Sequence, residues 1–579
     1  MDHLEINTED ILVNTGVTAV SDSLLGLATL NPELEILNVG NVVLHKGLEQ
    51  VDKVLVISGG ASGLEPAFAH YVGKGMLAAA VQGDLLQSPP SRPILRTIRE
   101  LAAISLRGVL IIVNGNSGDL LNFGLATERA KKELLRVMML PIFDNYSNGD
   151  LPSCKRRGLS GIVLIMKIAG AMAEDGHSID KIYKNCEMLT ENLISISFGT
   201  REHLLRQRCV CKAVSEFVIG TNINGESALK RIRKSHVKEI VNSLMEELLY
   251  SNKKQPFLEI RTTPVVLLVN NVGGISKLEE MIIVKELIGH LDDKGVVVSR
   301  IYSGTFLGSM YFDGIIISLL RLVQPDILKY LDAPTTALGW KNVADFRTDI
   351  KVVERKQSIL HKKPRTESIV IKGPKLTDHN AMKVKNSANF ACEAIISCER
   401  QLNKIDSETG NSNTGTRMKT AAVLFLQKFR ANKAHFDLPY HFFQYLSKLC
   451  EYHLGGPMGC IFCILFEAAS GTFLPLEDLD DNLEGPIWLE SLKNAVESLK
   501  RYTLAQLGDN TLLDPLEACV KGTVDHLFEM PSYLEAFRCG VAAAEQISAE
   551  LKNMNLYPDP GSHAVVIILR AIYEGLKLS

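Results

Sequence analysis

The feature that most constrains this chain is an alternation that persists from about Leu12 to Trp340: short β-branched runs, then glycine-rich turns, then segments with helical periodicity. Val54-Leu-Val-Ile-Ser58, Val109-Leu-Ile-Ile-Val113 and Val265-Val-Leu-Leu-Val-Asn270 are continuous apolar runs without period-two alternation. Strands covered on both faces read this way, so the pattern predicts α/β layers with helices packed on the sheets. From about Ser387 the pattern changes. Apolar residues recur at helical spacing in Ala421 to Phe429, Phe442 to Leu449, Leu492 to Leu499, Val541 to Leu551 and Val565 to Leu576, which predicts an all-α domain. The expected organisation is an α/β domain over 9–341, a linker over 342–386 and a helical domain over 387–579.

The linker carries His361-Lys-Lys-Pro-Arg365, which reads either as a solvated connector or as a nuclear-localisation signal. Over all 579 residues the net charge is only −3, which does not advertise nucleic acid or an anionic membrane as a partner. The longest apolar stretches are interrupted by Lys167, Glu467 and Arg570, so no transmembrane segment is expected. The acidic amino terminus does not resemble a signal peptide, and Cys209/Cys211 and Cys460/Cys463 lack the paired spacing and histidines of a zinc site. Reduced thiols in the cytosol are the expectation.

Two turns stand out as chemistry. Ser58-Gly-Gly-Ala-Ser-Gly-Leu-Glu-Pro66 follows the first strand and is expected to lead into a helix. Such a turn lets backbone N–H groups approach a polar ligand, with the helix dipole assisting. It matches neither the dinucleotide nor the Walker pattern, and a tight structural turn is the competing reading. Asn114-Gly-Asn-Ser-Gly-Asp119 follows the strand that ends at Val113. Two turns at the carboxyl ends of parallel strands define the crevice where open α/β sheets bind ligands.

The run Gly59-Gly-Ala-Ser-Gly-Leu-Glu-Pro66, with Ser117-Gly-Asp119, Leu121 to Arg129, Gly158 to Ala171, Val269 to Gly274 and Leu331-Asp-Ala-Pro334, resembles the substrate domain of ATP-dependent dihydroxyacetone kinases. Leu454-Gly-Gly456, Gly508 to Asp514 and Asp559-Pro-Gly561 resemble that family's helical nucleotide-binding domain, and the order is that of the single-chain animal triokinase/FMN cyclase form. The resemblance implies dihydroxyacetone or glyceraldehyde and ATP as substrates and Mg²⁺ as cofactor. It further implies a homodimer or a heterodimer with an active paralogue, without nucleic acid or membrane. It assigns substrate binding to Gly60, Ala61, Ser62, Gly63, Asn114 and Asp119, with Asp119 as base or hydroxyl anchor. Nucleotide binding falls to Asn411, Ser412, Asn413, Thr414, Gly455, Gly456, Pro457, Asn510, Thr511, Asp559, Pro560 and Gly561, and metal binding to Asp406.

The departures from the family pattern fall on ligand-facing positions. The family traps its substrate carbonyl on a histidine; the matching residue here is Asn224, whose amide nitrogen is delocalised and is no nucleophile. A second family histidine is replaced by Leu64, and a lysine by Asn114. In the metal-binding run Asp406-Ser-Glu-Thr-Gly-Asn-Ser-Asn413, Asn411 and Asn413 stand where the family has aspartates, leaving Asp406 as the charged ligand. Arg417 follows in the same run; a solvent-facing helix residue is the expectation, against the alternative that it supplies charge in place of metal. Pro457-Met458 and Asn510 replace small hydroxyl residues and an arginine, and Asn555 to Pro558 shorten a further loop. The resemblance with these departures implies a family member with phosphoryl transfer lost or strongly impaired. The alternative is an active glycerone kinase that binds substrate noncovalently with Asp119 as base.

Overall fold

The computed structural model describes residues 12–37, 40–48, 52–146, 157–202, 216–223, 229–250, 263–310, 312–341, 373–409, 413–430, 435–476, 484–554 and 559–578. Cys209, Cys211, Asn224, Asn411, Ser412, the 361–365 cluster and Asn555 to Pro558 lie outside them. The chain divides into two compact units, Met1–Val353 and Glu354–Ser579.

Among the described residues the first unit holds two six-stranded sheets. Its strands are β1 (Leu34–Leu37), β2 (Val42–His45), β3 (Leu55–Ser62), β4 (Ala79–Leu85), β5 (Val109–Asn114), β6 (Val137–Ile142), β7 (Leu193–Glu202), β8 (Glu216–Ile219), β9 (Lys230–Arg233), β10 (Val265–Gly273), β11 (Val298–Gly304) and β12 (Phe312–Arg321). Its helices are α1 (Ala19–Leu30), α2 (Ser91–Ile104), α3 (Ser117–Lys132), α4 (Ile162–Glu174), α5 (Ile179–Glu191), α6 (Val237–Tyr250), α7 (Lys277–Asp293) and α8 (Ile327–Asp332). The sheet orders are β1-β2-β4-β3-β5-β6 and β11-β10-β12-β7-β8-β9. β4, β3, β5 and β6 run parallel, which puts the ends of β3 and β5 on one edge. The apolar runs are strands because both faces are covered: Leu55, Ile57, Val109, Ile111 and Val113 pack into one core cluster, while Val56, Leu110 and Ile112 pack into another with α4.

Helix α4 is buried over Ile162 to Ala173, including Lys167, whose Nζ donates to the Tyr330 carbonyl at 2.8 Å. Burial lowers the Lys167 pKa to about 8. Asp144 fixes the start of α4 by accepting the backbone amides of Leu159 at 2.6 Å and Gly161 at 2.8 Å. The Ser195 hydroxyl of β7 donates to the same carboxylate at 2.5 Å and is bonded to the Ser318 hydroxyl of β12 at 2.7 Å, from which it accepts, tying α4 to the second sheet. Burial of so many polar groups is tolerable because each is paired.

The second unit consists, among the described residues, of α9 (Asp378–Ser397), α10 (Glu399–Thr409), α11 (Thr414–Arg430), α12 (Pro439–Leu449), α13 (Gly456–Phe473), α14 (Glu484–Lys500), α15 (Leu513–Asp525), α16 (Tyr533–Met554) and α17 (Pro560–Lys577). Helix α9 starts inside the stretch expected as linker, because the Thr377 side chain accepts the Asn380 amide and caps it. Leu376 N also bonds the Asp437 carbonyl, so the helical unit reaches back to these residues. By length and composition alone α13 is long and apolar enough to cross a membrane. In this fold it contributes Phe462, Leu465 and Ala469 to the core of the helical unit. A third of the helix is buried, while Gly456, Pro457, Cys460 and Glu467 are exposed.

Candidate active site

The glycine-rich run behaves differently from its expected role. β3 continues through Gly59 to Ser62, paired with Val81, Gln82 and Leu85 of β4, and no α-helix follows it. A bend and a single 3₁₀ turn at Ala69–Tyr71 lead to β4, so a helix dipole is absent from this turn. The glycines are required by close approach. A Cβ on Gly59 would stand 2.1 Å from the Val81 carbonyl oxygen, and one on Gly60 would stand 2.8 Å from the Phe68 ring and 3.3 Å from Asp119 Oδ2. Gly60 is therefore packed directly against Phe68 and the Asp119 carboxylate.

The second turn does open a helix. Asp119 lies in the first turn of α3 and is 2% exposed. Ser88 Oγ donates to its Oδ1 at 2.5 Å, and Asn116 Nδ2 lies 3.5 Å from its Oδ2. Burial drives the Asp119 pKa up to about 6, against the smaller opposing effect of the Ser88 and Asn116 contacts. A carboxyl with that pKa can accept a proton near neutrality. Ser88 was not singled out from the sequence; the fold brings it from the end of β4 to Asp119 in the first turn of α3.

Asn114, at the end of β5, is completely buried, and neither its Oδ1 nor its Nδ2 has a hydrogen-bond partner. It fills the space that Gly158 leaves open, since a Cβ there would fall 1.4 Å from Asn114 Oδ1. Leu64 is 2% exposed and packs in the core cluster that includes Phe68 and Met76. Its carbonyl accepts the Gly308 amide at 2.9 Å. One loop further, Ser309 Oγ donates to the Ile223 carbonyl at 2.8 Å, so the residue preceding Asn224 is anchored beside the Leu64 turn. The Ser62 hydroxyl is spent on the Gly83 carbonyl at 2.8 Å, and Gly63, at φ +97°, donates its amide to Glu65. Ala61 lies half-buried between them. A 440 Å³ cavity opens beside this turn, lined by Ser62, Gly63, Glu65, Leu85 and Met310 and by residues of α1.

In the helical unit, Asp406 of α10 is buried and accepts the backbone amides of Asn413 at 2.8 Å and Thr414 at 3.0 Å. Burial raises its pKa, but the Thr414 and Asn413 amides, the Thr414 hydroxyl and the Arg417 charge outweigh this and hold it below the usual carboxylate value. Arg417 corrects an expectation. Instead of facing solvent it is half-buried, and its guanidinium donates to the Leu454 carbonyl and lies against Gly455 and Gly456. That carbonyl ends a π-helical turn, Cys450–Leu454, and the two glycines adopt φ +56° and +59° before α13, whose first turn contains Pro457.

The other nucleotide-loop residues gather nearby. A Cβ on Gly561 would meet Met458 Cε at 3.0 Å, Leu512 Cδ2 at 3.3 Å and Asp559 Oδ2 at 2.9 Å. Asp559 caps α17 by accepting the Ser562 amide at 2.5 Å, with Pro560 in the first turn. Burial, then the charges of Asp514 and Asp406, outweigh the Ser562 and Gly561 amides and raise its pKa. Asp514 accepts the amides of Gly508 at 2.6 Å and Thr511 at 2.8 Å, which holds Asn510 buried at φ +57°.

The Dak1 domain family matches residues 25–339 and the DAK2 domain family residues 408–574. The triokinase/FMN cyclase of Mus musculus is 31% identical over 98% of this chain and 98% of its own. The chain belongs to the dihydroxyacetone kinase family. Among solved structures, the C. freundii dihydroxyacetone kinase in complex with AMP-PNP and Mg²⁺ covers 98% of this chain and 99% of its own at TM-score 0.68 and 25% identity. A dihydroxyacetone kinase operon co-activator covers 55% of this chain and 97% of its own at TM-score 0.51 and 30% identity.

Family membership implies Mg²⁺, and the helical unit does not fit it well. Asp406 Oδ2 is engaged by the Asn413 and Thr414 amides, Asn413 is exposed and neutral, and the Arg417 charge acts on the same carboxylate. Among the described residues no group of three His, Cys, Asp or Glu side chains is placed to hold an ion. Mg²⁺ favours carboxylate and phosphate oxygens in near-ideal octahedral geometry, and the metal-binding run offers one carboxylate, partly engaged by amides, with neutral Asn413 beside it.

Proposed function

We propose that this dihydroxyacetone-kinase-family chain keeps the substrate domain but has lost most or all of the ATP-dependent phosphorylation of dihydroxyacetone or glyceraldehyde. The observation that carries the reading is Asp406. It is the charged survivor of the metal-binding run, and one oxygen of its carboxylate is occupied as the cap of α11. Phosphoryl transfer depends on cations that neutralise charge on the phosphates, so the loss falls on the largest contribution. Leu64 in the core and Asn224 in the hemiaminal position support the same conclusion for substrate capture. The chain then acts as a binding or regulatory subunit, alone as a homodimer or paired with an active paralogue. The substrate-domain likeness to an operon co-activator is consistent with that use of the fold. The free state of all eight described cysteines fits a reducing compartment such as the cytosol.

A second reading has one observation in its favour: Asp119, with its pKa near 6 and its Ser88 partner, is suited to act as base on a noncovalently bound substrate. The two separate by reversal. Asn411→Asp with Asn413→Asp and Arg417→Thr, combined with Leu64→His and Asn224→His, should create turnover absent from the unmodified chain. If the unmodified chain turns over and Asp119→Ala abolishes it, the second reading stands.

A further inference from the structure

We infer that Cys460 and Cys463 of α13 form a peroxide-responsive dithiol, a site of reversible oxidation on the helix that follows the Gly455-Gly456 turn. The site is independent of the kinase chemistry and stands whether or not the chain transfers phosphate.

The run Cys460-Ile-Phe-Cys463 places two thiols three residues apart on one α-helix. Residues at that spacing share a face with Cβ atoms about 5–6 Å apart, and a disulfide needs about 3.5–4.5 Å. A local tightening of one helical turn closes the gap, and the strain left in the bond makes it easy to reduce again. The surroundings of the two thiols set their order. Cys460 is exposed and meets a solution oxidant first. Cys463 is half-buried against α12, where its thiol donates to the Ser447 carbonyl at 3.2 Å. Burial outweighs that hydrogen bond and, joined by the charges of Glu451, Cys460 and Glu467, raises the Cys463 pKa, so this sulfur waits as a thiol. Cys450 is the competing partner, near enough for its charge and that of Cys463 to interact, but burial pushes its pKa up to about 12. Pairing with it would also have to move the π-turn that it begins. The dithiol lies close to that turn. Gly459 donates its amide to the Gly455 carbonyl at 2.9 Å, and a Cβ on it would stand 3.1 Å from the Cys450 carbonyl oxygen, so a tightening at Cys460 is passed to Cys450–Leu454.

The oxidant is hydrogen peroxide. The Cys460 thiolate attacks one peroxide oxygen, the O–O bond breaks, the departing hydroxide takes a proton to leave as water, and Cys460 becomes a sulfenic acid. The Cys463 sulfur then attacks the Cys460 sulfur. The S–S bond forms, the S–O bond breaks, and the leaving hydroxide takes the Cys463 proton as a second water. The dithiol has given two electrons to the peroxide, and a reducing dithiol restores it by exchange.

The test is thiol mapping on the full-length protein. Cleavage after Glu451 and Glu467 leaves Cys460 and Cys463 together on one peptide and puts Cys450 on another. The protein is treated with hydrogen peroxide, free thiols are alkylated, and the digest is read by mass spectrometry. Cys460 and Cys463 should lose their labels together, the peptide should be lighter by two hydrogens than its reduced, unlabelled form, and dithiothreitol should restore both labels. Cys460→Ser, at an exposed position, should leave Cys463 fully labelled under the same treatment. Cys463→Ser should stop the reaction at the sulfenic acid, captured by dimedone. Both labels surviving a dose that oxidises Met458 on the same peptide would overturn the inference. So would a link from Cys463 to Cys450, irreversible oxidation of Cys460 with Cys463 still labelled, or loss of the Cys463 label in Cys460→Ser. Should Cys463→Ser fail to fold, the label count on the unmodified protein and on Cys460→Ser still decides.

Discussion

Replacing Asp119 by Asn should stabilise the substrate unit, and the gain should depend on pH. Asp119 is buried at 2% exposure and titrates at about 6, against 3.8 for the ordinary carboxyl. Because the folded-state pKa is raised, the native protein binds its proton more tightly than the unfolded chain does. Stability is therefore lost as pH rises from the unfolded value through about 6. At about 1.36 kcal/mol per pH unit the ionised carboxylate costs the fold about 3 kcal/mol at pH 7.5, and about 1 kcal/mol at pH 4.5. Asn occupies the same volume and can still accept from Ser88, but it cannot accept from Asn116, and weakening these bonds costs about 1 kcal/mol. The net expectation for Asp119→Asn is near zero at pH 4.5 and a gain of about 2 kcal/mol at pH 7.5. Urea unfolding followed by a probe in the substrate unit, at both pH values and for both proteins, measures it. A gain that does not change with pH, or a loss at pH 7.5, would refute the reasoning. A carboxylate kept at such a cost is what retained ligand binding looks like, since sites trade stability for function.

Three further outcomes follow from named contacts. Gly60→Ala should abolish any affinity for dihydroxyacetone, read by calorimetry, because its Cβ would enter the Phe68 ring at 2.8 Å and crowd Asp119. Leu64→Ala should cost about 2–5 kcal/mol, measured by denaturant midpoint, because it empties a core position. Asp406→Asn should lower the stability of the helical unit by about 1 kcal/mol, through the weakened cap on Asn413 and Thr414. Because the Asp406 pKa is held down in the fold, that difference should be present at neutral pH and fade as pH falls through its folded value, which melting curves across the acid range would report.

The strands β3, β5 and β10 were legible because doubly covered strands leave an uninterrupted apolar run, and the core confirms why each is buried. The end of β3 was not. Glycine marks both a turn and a ladder so tight that the neighbouring carbonyl excludes a Cβ, and Gly59 belongs to the second kind. Arg417 was misread because the partner that draws it inward, the Leu454 carbonyl, is freed by a π-turn remote in sequence. Ser88 escaped notice for a similar reason, its role being set by a residue on another element. The start of α9, in contrast, carried a readable signal in Thr377-Asp378 that the surrounding Lys/Arg-rich composition obscured. Residues whose meaning depends on a local period were read well, and residues defined by a distant backbone group were not.

The central claim, a kinase fold that no longer transfers phosphate, is tested most directly by incubating the purified chain with ATP, Mg²⁺ and dihydroxyacetone and detecting dihydroxyacetone phosphate by mass spectrometry against a denatured control. The account predicts no product above that control from a folded sample. Sustained turnover that disappears on heat denaturation would contradict it.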